Sequence, residues 1–305
     1  MASNPVTVFG GSGFLGHQIV KRLVAQGTSV RVAVRHPRDA TFPEVSVNEG
    51  QIEPICADVR DEASVAQAVE GTEAVVNSVG LYVERGDETF EAVHVRGARN
   101  VARQAARAGV QRLVHISGIG ADPNSESSYV RARAQGESLV RGAFDGATIL
   151  RPSVLFGPGD AFFHSLTTII RLSPVLPLFG SGGTLLQPVF FGDVAEAVAR
   201  ALTNPASRGQ VYELGGPRVY SYKALVEMLL AHLKRTRILV PVPFALWGLQ
   251  TAILGLLPNP PLTRDQVILM KRDNVVGKDA LTLADLGIEP TAVETQLPTY
   301  IHPDA

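Results

Sequence analysis

The sequence predicts an α/β protein built on a doubly wound parallel sheet, and three observations carry that prediction. Short β-branched runs alternate with longer amphipathic segments from Val6 to about Arg151, a glycine-rich turn follows the first run directly, and a glycine stands where each of three helical patterns should stop. The runs lie at 6–10, 30–34, 52–57, 74–79, 112–117 and 147–152. Between them, apolar residues recur at helical spacing over 15–26, 63–70, 90–108 and 128–142. Gly27, Gly71 and Gly109 follow three of these as C-terminal caps do. Six parallel strands with crossover helices make a doubly wound sheet. After Arg151 the prolines 152, 158, 174, 177 and 188 break the rhythm, so 1–151 reads as the main domain. The remainder, 152–305, reads as a smaller C-terminal, substrate-side region partly interleaved with it. Its candidate elements are strands at 188–191 and 210–214 and helices at 193–202, 221–233, 244–256 and 263–271.

Bulk properties narrow the function classes. With 305 residues, 45% of them apolar and 19% charged, the chain can bury a large core. A net charge of −1 and the lack of a basic tail leave nothing to attract nucleic acid. The single cysteine, Cys56, falls in an apolar-looking run and is expected to be a buried free thiol. The first apolar strand starts too early for a leader segment, so a cytoplasmic location is expected, with peripheral contact at the inner face of the cell membrane as an alternative. The apolar run 244–257 is shorter than the roughly 20 residues a bilayer span needs. A core or domain-interface helix is the default for it; a helix lying in a membrane interface or on an apolar partner is the alternative.

Chemistry begins at Gly10-Gly11-Ser12-Gly13-Phe14-Leu15-Gly16, where G-x-x-G-x-x-G sits between a strand and an amphipathic helix. Gly10 can make the tight turn, Gly13 admits a pyrophosphate against bare backbone, and Gly16 lets helix and strand pack closely. The helix N-terminus then offers free N–H groups and the positive end of its dipole. This is the Rossmann-type arrangement, and it implies a bound dinucleotide. At the end of the second strand an acid would accept a ribose 2′-hydroxyl, whereas arginine pairs with a 2′-phosphate. The sequence there is Arg35-His36-Pro37-Arg38, so NADP(H) is expected over NAD(H), with Arg35 the main phosphate ligand and Arg38 a second. Surface solvation of both arginines is the alternative. Asp58 and Val59 follow the third strand, and Val79 and Gly80 follow the fourth, at the sheet edge where cofactors bind. Asp58 could contact adenine or could cap the helix that starts near Asp61.

The glycine loop, Asp58-Val59, Asn77-Ser78-Val79-Gly80, Ser117, Tyr129 and the run from Arg151 to Pro158 together resemble the extended or atypical short-chain dehydrogenase/reductases. Within them the stretches 128–137, 187–189, 192–194 and 262–267 are similar to the nucleotide-binding accessory subunits of respiratory complex I, alpha-subcomplex subunit nine, and their bacterial relatives. The resemblance implies Tyr129 as acid/base, Ser117 as substrate-positioning group, and Pro152, Ser153 and Val154 beside the cofactor. The superfamily's lysine, four residues after the tyrosine, is here Arg133. A guanidinium can hold a ribose hydroxyl and favour a phenolate, but it is bulkier and does not exchange its proton near neutral pH. His94 stands where the relay asparagine is expected.

Three readings follow. The first is an accessory or assembly subunit of complex I with bound NADP(H), touching other subunits or the membrane surface; the second is an NADPH-dependent reductase of a quinone-related or isoprenoid molecule. The third, a sugar-nucleotide epimerase or dehydratase, is disfavoured by the broken Tyr-x-x-x-Lys pair. Gln187, Phe156, Phe191 and Arg264 are implied as substrate-side residues by the same resemblance. Arg96, Arg99, Arg103 and Arg107 fall on one helix face, either solvated or turned to an acidic partner. His115, inside a strand, is expected to be a satisfied core residue. No metal site is expected, because the histidines and the lone cysteine lack ligand spacing.

Overall fold

The computed structural model describes residues 4–37, 51–254 and 262–303. The chain forms two compact units: 1–152 with 191–214 and 279–289 make unit 1, and 153–190 with 215–278 and 290–305 make unit 2.

Unit 1 starts with β1 (Val6–Phe9), α1 (Phe14–Ala25), β2 (Val30–Val34), β3 (Ile52–Cys56), α2 (Glu62–Val69) and β4 (Ala74–Asn77). A π-helical segment, Glu91–Gly97, runs into α3 (Ala98–Arg107), followed by β5 (Arg112–Ile116), α4 (Ser128–Ala143) and β6 (Thr148–Pro152). Unit 2 takes up the chain with β7 (Leu155–Phe156), α5 (Ala161–Leu172), β8 (Val175–Phe179), β9 (Leu185–Leu186) and β10 (Val189–Phe190). The chain then returns to unit 1 as α6 (Phe191–Thr203) and β11 (Val211–Leu214). Unit 2 closes with β12 (Tyr220–Ser221), α7 (Tyr222–His232), β13 (Ile238–Val242), α8 (Phe244–Leu254), α9 (Arg264–Leu269) and α10 (Val293–Tyr300).

The central sheet has seven strands, all parallel, in the order β11-β6-β5-β4-β1-β2-β3. It is the doubly wound α/β sheet expected from the alternating pattern, with β11 added beyond β6. Order reverses between β1 and β4, so the ends of those two strands open the crevice in which such sheets bind ligands. The central strands β1 and β4 are buried at every position, which is why they read as nearly unbroken apolar runs.

Several local expectations need correcting. Cys56 is exposed, not buried, because β3 is the edge strand and most of its side chains escape the core. The cap of α2 is Asp61, whose carboxylate accepts from the Ala63 and Ser64 amides; Asp58 lies one turn too early. His115 is buried, yet its Nδ1 has no hydrogen-bond partner among the described residues. Of the arginine face, Arg103 and Arg107 reach Glu62 at 3.9 and 3.2 Å, so that end is paired within the unit.

Unit 2 has its own core, in which Phe156, Phe163, Ile170, Leu178, Leu225 and Leu229 are almost completely enclosed. Its helix α5 is capped by Asp160, which accepts from the Phe163 amide at 2.6 Å and from the Tyr300 hydroxyl at 2.7 Å. Gln187 braces this unit through Gly216 and Val276.

In unit 1, α4 packs against the π-helical segment so closely that a Cβ on Gly136 would come within 2.0 Å of the His94 carbonyl oxygen. Near the end of the same helix, Gly142 has open space around it. Gly136→Ala should therefore destabilise the protein by about 3 kcal/mol, the upper range for overpacking. Gly142→Ala should stabilise it by about 0.5–1 kcal/mol through helix propensity. Urea unfolding of the two variants checks the opposite signs.

Candidate functional site

The site in unit 1 is built where β1 hands over to α1. Gly10 takes φ +77°, and a Cβ there would lie 3.0 Å from the backbone of Ser78 and Val79, so the first turn sits directly on the end of β4. Gly16 is under stronger constraint: a Cβ would fall 2.0 Å from the Gly10 carbonyl oxygen. Gly11 is buried, and its missing side chain makes room for Val32. Ser12 and Gly13 are exposed at the rim of the loop.

Helix α1 begins at Gly13 with no side-chain cap and no acid in its first turn. Among the described residues no side chain caps its leading N–H groups, as an anion-binding N-terminus requires. Leu15 is buried and Phe14 lies against Phe191, ring centroids 5.2 Å apart, which fixes the helix beneath the loop. At β4, the Ser78 amide and hydroxyl both donate to the Phe9 carbonyl, at 3.0 and 2.9 Å, and the Asn77 side chain accepts from the Val79 amide. These bonds hold the Val79–Gly80 turn beside the glycine loop, leaving Gly80 exposed.

The polar groups beyond β2 and β3 gather at one end. Arg35 is half exposed and forms a close ion pair with Glu88. Asp58 accepts from Arg60 through both carboxylate oxygens, at 3.0 Å from Nε and 2.6 Å from Nη2. That guanidinium, with Arg35 adding to it, holds the Asp58 carboxyl below its ordinary range. Val59 points into the core, and its carbonyl accepts from Asn100 at 3.0 Å. Arg38 lies outside the described residues. Arg60 and Glu88 were not singled out in the sequence, since nothing in their spacing relates them to the glycine loop.

Tyr129 opens α4 and is buried in an aromatic wall. Tyr82, Phe90 and His94 each stand 5.5 Å from its ring centroid, and the Arg133 guanidinium lies over its face at 5.1 Å. Phe90 and His94 stand four residues apart, so they share the helical face that meets this ring. His94 Nε2 is hydrogen-bonded at Leu81. Burial drives the Tyr129 hydroxyl far above its usual titration range, against the opposing pull of Arg133.

Arg133 is almost fully buried, and its Nε has no hydrogen-bond partner among the described residues. Its Nη1 reaches the Gly118 backbone, where a Cβ would lie 3.0 Å away. Ser117 donates to Glu137, which in turn is paired with Arg151 at 2.7 Å, and Arg151 extends to Glu213 at 3.4 Å. The structure thus brings Tyr129 and Arg133 together, while Ser117 is committed to a carboxylate that sequence reasoning overlooked. Glu137 lies two turns beyond Tyr129 on α4, and only that helical spacing could have flagged it. The Pro152 carbonyl accepts from Ile119 at 3.2 Å. Ser153 and Val154 belong to unit 2, where Ser153 Oγ bonds Asn274 Oδ1 at 2.5 Å. Phe156 is fully enclosed in the unit 2 core, which corrects its expected place on a pocket wall.

An uncapped helix behind a glycine cradle, at the point where strand order reverses, defines a dinucleotide-binding protein. Residues 10–161 match the family described as NAD(P)H-binding. Over 291 residues the chain is 33% identical to NADH dehydrogenase [ubiquinone] 1 alpha subcomplex subunit 9, mitochondrial, of Rattus norvegicus, covering 94% of this chain and 77% of that protein. It is 31% identical over 296 residues to the NADH-ubiquinone oxidoreductase 40 kDa subunit, mitochondrial, of Neurospora crassa, covering 96% of this chain and 77% of that one. Among solved structures, MoeE5 in complex with UDP-glucuronic acid and NAD superposes with a TM-score of 0.70 at 17% identity, over 97% of each chain, a likeness of fold. The chain therefore belongs to the short-chain-dehydrogenase-like family that includes the alpha subcomplex subunit 9 proteins of complex I.

Burial, with the Arg133 charge adding to it, pushes both His94 and His115 down to about 3. Both are neutral in the folded protein and take up protons on unfolding once the pH falls below about 6.5. Their stability contribution is complete above that value and is lost as the pH drops toward 3. Between pH 7 and pH 5 each should cost about 2 kcal/mol of unfolding free energy. Urea denaturation at the two pH values should show this loss, and His115→Asn should flatten the slope.

Proposed function

We propose that this chain is an NADP(H)-binding accessory or assembly subunit of respiratory complex I, in which the nucleotide holds the fold together and turnover is slight. The observation that carries the reading is the Arg133 guanidinium stacked on Tyr129 where a reductase would present a lysine. The cofactor cradle is intact, but the proton-handling groups are occupied otherwise: Ser117 is bound to Glu137, and Tyr129 stays protonated across the neutral range. The similarity to complex I subunits over nearly the whole chain supports the same reading.

The residues fit the dinucleotide. The α1 N-terminus and Gly10 to Gly16 would take the pyrophosphate. Arg35, with Arg38, would pair with a 2′-phosphate, while Asp58, Val59, Val79 and Gly80 would border the adenosine half. Arg133 would donate its unpartnered Nε–H to the nicotinamide ribose beside the Tyr129 hydroxyl. Pro152 would back the nicotinamide end. A bound nicotinamide nucleotide supplies hydride transfer; the chain's own contribution is to orient it.

The second reading, an NADPH-dependent reductase of a quinone-related or isoprenoid molecule, is favoured by one feature. Tyr129 is retained inside the apolar wall of Tyr82, Phe90 and His94, a surface suited to a flat, apolar substrate. Substrate-dependent NADPH oxidation that vanishes in Tyr129→Phe would support it. Co-migration of the untouched chain with complex I on native gels, without turnover, supports the subunit reading.

For the cofactor, fluorescence titration should find NADPH bound more tightly than NADH. Arg35→Ala should cut the affinity ratio by at least about tenfold, the worth of one charge-assisted hydrogen bond. An unchanged ratio would remove Arg35 from the site.

A further inference from the structure

Unit 2 carries an apolar surface that its own core does not use. Strands β8 and β13 pair in parallel, with Val175 opposite Ile238 and Pro177 opposite Val240. Residues paired this way share a face. The other face turns Leu176 and Leu178 into the core, so this outward face should alternate to polar side chains, yet it is apolar throughout: Ile238 is 65% exposed, Val175 40% and Val240 39%. The chain entering β8 comes from the end of α5, where Ile169 and Leu172 are exposed one turn apart. The chain leaving β13 enters α8, where Leu246 and Leu249 are exposed in the same way. Trp247 pins α8 down, donating Nε1–H to the Leu178 carbonyl at 3.2 Å and packing on Phe179. Of the eleven large apolar side chains exposed among the described residues, seven lie in these two adjoining stretches. Such concentration marks a contact surface.

Charge indicates what it contacts. From Ala161 to Gly192 and from Met228 to Arg264 the sequence has no aspartate or glutamate. Within those stretches lie Arg171, Lys234, Arg235 and Arg237, and none of the four forms an ion pair among the described residues. Lys234 and Arg235 are exposed immediately before β13, and Arg237 is tethered by its Nε to the Ile170 carbonyl at 2.8 Å, beside the end of α5. Apolar side chains beside unpaired cations, with no acid among them, complement a surface of negative charge over hydrocarbon. No described helix is long and apolar enough to cross a membrane, so the contact is one of lying on the surface. A second copy of the chain would bring the same cations and offer no acids from these stretches.

We propose that this face of unit 2 docks on an anionic lipid bilayer, with Leu172, Ile238, Leu246 and Leu249 entering the headgroup boundary and Arg171, Lys234, Arg235 and Arg237 meeting lipid phosphates. The surface goes beyond the nucleotide and subunit assignments and rests on unit 2 alone.

The test floats the full chain with vesicles of phosphatidylcholine alone or with about a third phosphatidylglycerol. The chain should float with the anionic vesicles at low salt and stay behind with the neutral ones. Lys234→Gln with Arg235→Gln should weaken partitioning roughly thirty-fold, at about 1 kcal/mol per charge. Leu246→Ser with Leu249→Ser should abolish the binding that survives high salt. Nucleotide affinity and thermal melting, measured on both variants, should stay at wild-type values, which separates lost docking from lost folding. The proposal is overturned if anionic vesicles are ignored or if neither variant changes flotation. It also falls if the wild type is a dimer in light scattering that the leucine variant splits while vesicles leave it untouched, since the face would then join two copies.

Discussion

The approach of Gly16 to the Gly10 carbonyl is the contact on which unit 1 depends. With a Cβ position only 2.0 Å from that oxygen, any other residue would push α1 away from the end of β1. The approach sets the angle at which the first crossover leaves the sheet, and so where α6 packs against α1 on the same side. It also leaves the first N–H groups of α1 pointing into the crevice between β1 and β4. Fold and anion site thus share one steric requirement, and a sequence that satisfies the packing has already made the cradle.

A second constraint lies in a partly buried charge network built on β6. Glu137, Arg151 and Glu213 form a chain of ion pairs across α4, β6 and β11, and Ser117 closes it. Removing Arg151 would leave the buried Glu137 carboxylate without its cation, which costs more than the pairing contributes. That makes the network a device for fixing α4 against the sheet. It also removes Ser117 from easy use as a substrate donor, because its hydroxyl proton is directed at a carboxylate. The same helix therefore holds both the most reactive-looking residue of the chain, Tyr129, and the groups that restrain its neighbours.

The sequence made unit 1 readable because its local signals agree with its tertiary role. Central strands buried on both faces are continuous apolar runs, and Gly27, Gly71 and Gly109 end helices with φ of +83°, +66° and +72°. Unit 2 was less readable for physical reasons. Helix α5 contains Thr167, Thr168, Ile169 and Ile170, a β-branched run that weakens its helical signal, and the sequence suggested no element over 161–172. Strand β8 carries Pro177, one of the prolines that break the alternating pattern after Arg151, and β13 carries Pro241. Proline is tolerated there because the pair is only two strands wide, so an N–H can be missing from the outer edge of each. In the site, the glycine loop could be found from its spacing and context, and Tyr129 only through the family resemblance. Glu88 and Arg60 carried no such signal, since each acquires its meaning from a partner brought close by folding, Arg35 and Asp58, and Glu137 had only its helical spacing from Tyr129.

The Arg133 environment ties stability to ligand. A buried guanidinium needs acceptors for its donors, and here the Nε–H has none among the described residues, while His94 and His115 are kept neutral by burial and by the arginine itself. Stacking on Tyr129 offsets part of that cost, but a ring face accepts no full hydrogen bond. A lysine could release its proton in such a place; an arginine cannot. Relief has to come from an added acceptor, and under the proposed reading the ribose hydroxyls of a bound nucleotide supply it. Binding then stabilises the folded chain by mass action, about 2.7 kcal/mol at a hundredfold excess over Kd. Lysine would favour catalysis at this position. Under that same reading arginine would favour retention, because the folded state would be better satisfied with the nucleotide than without it.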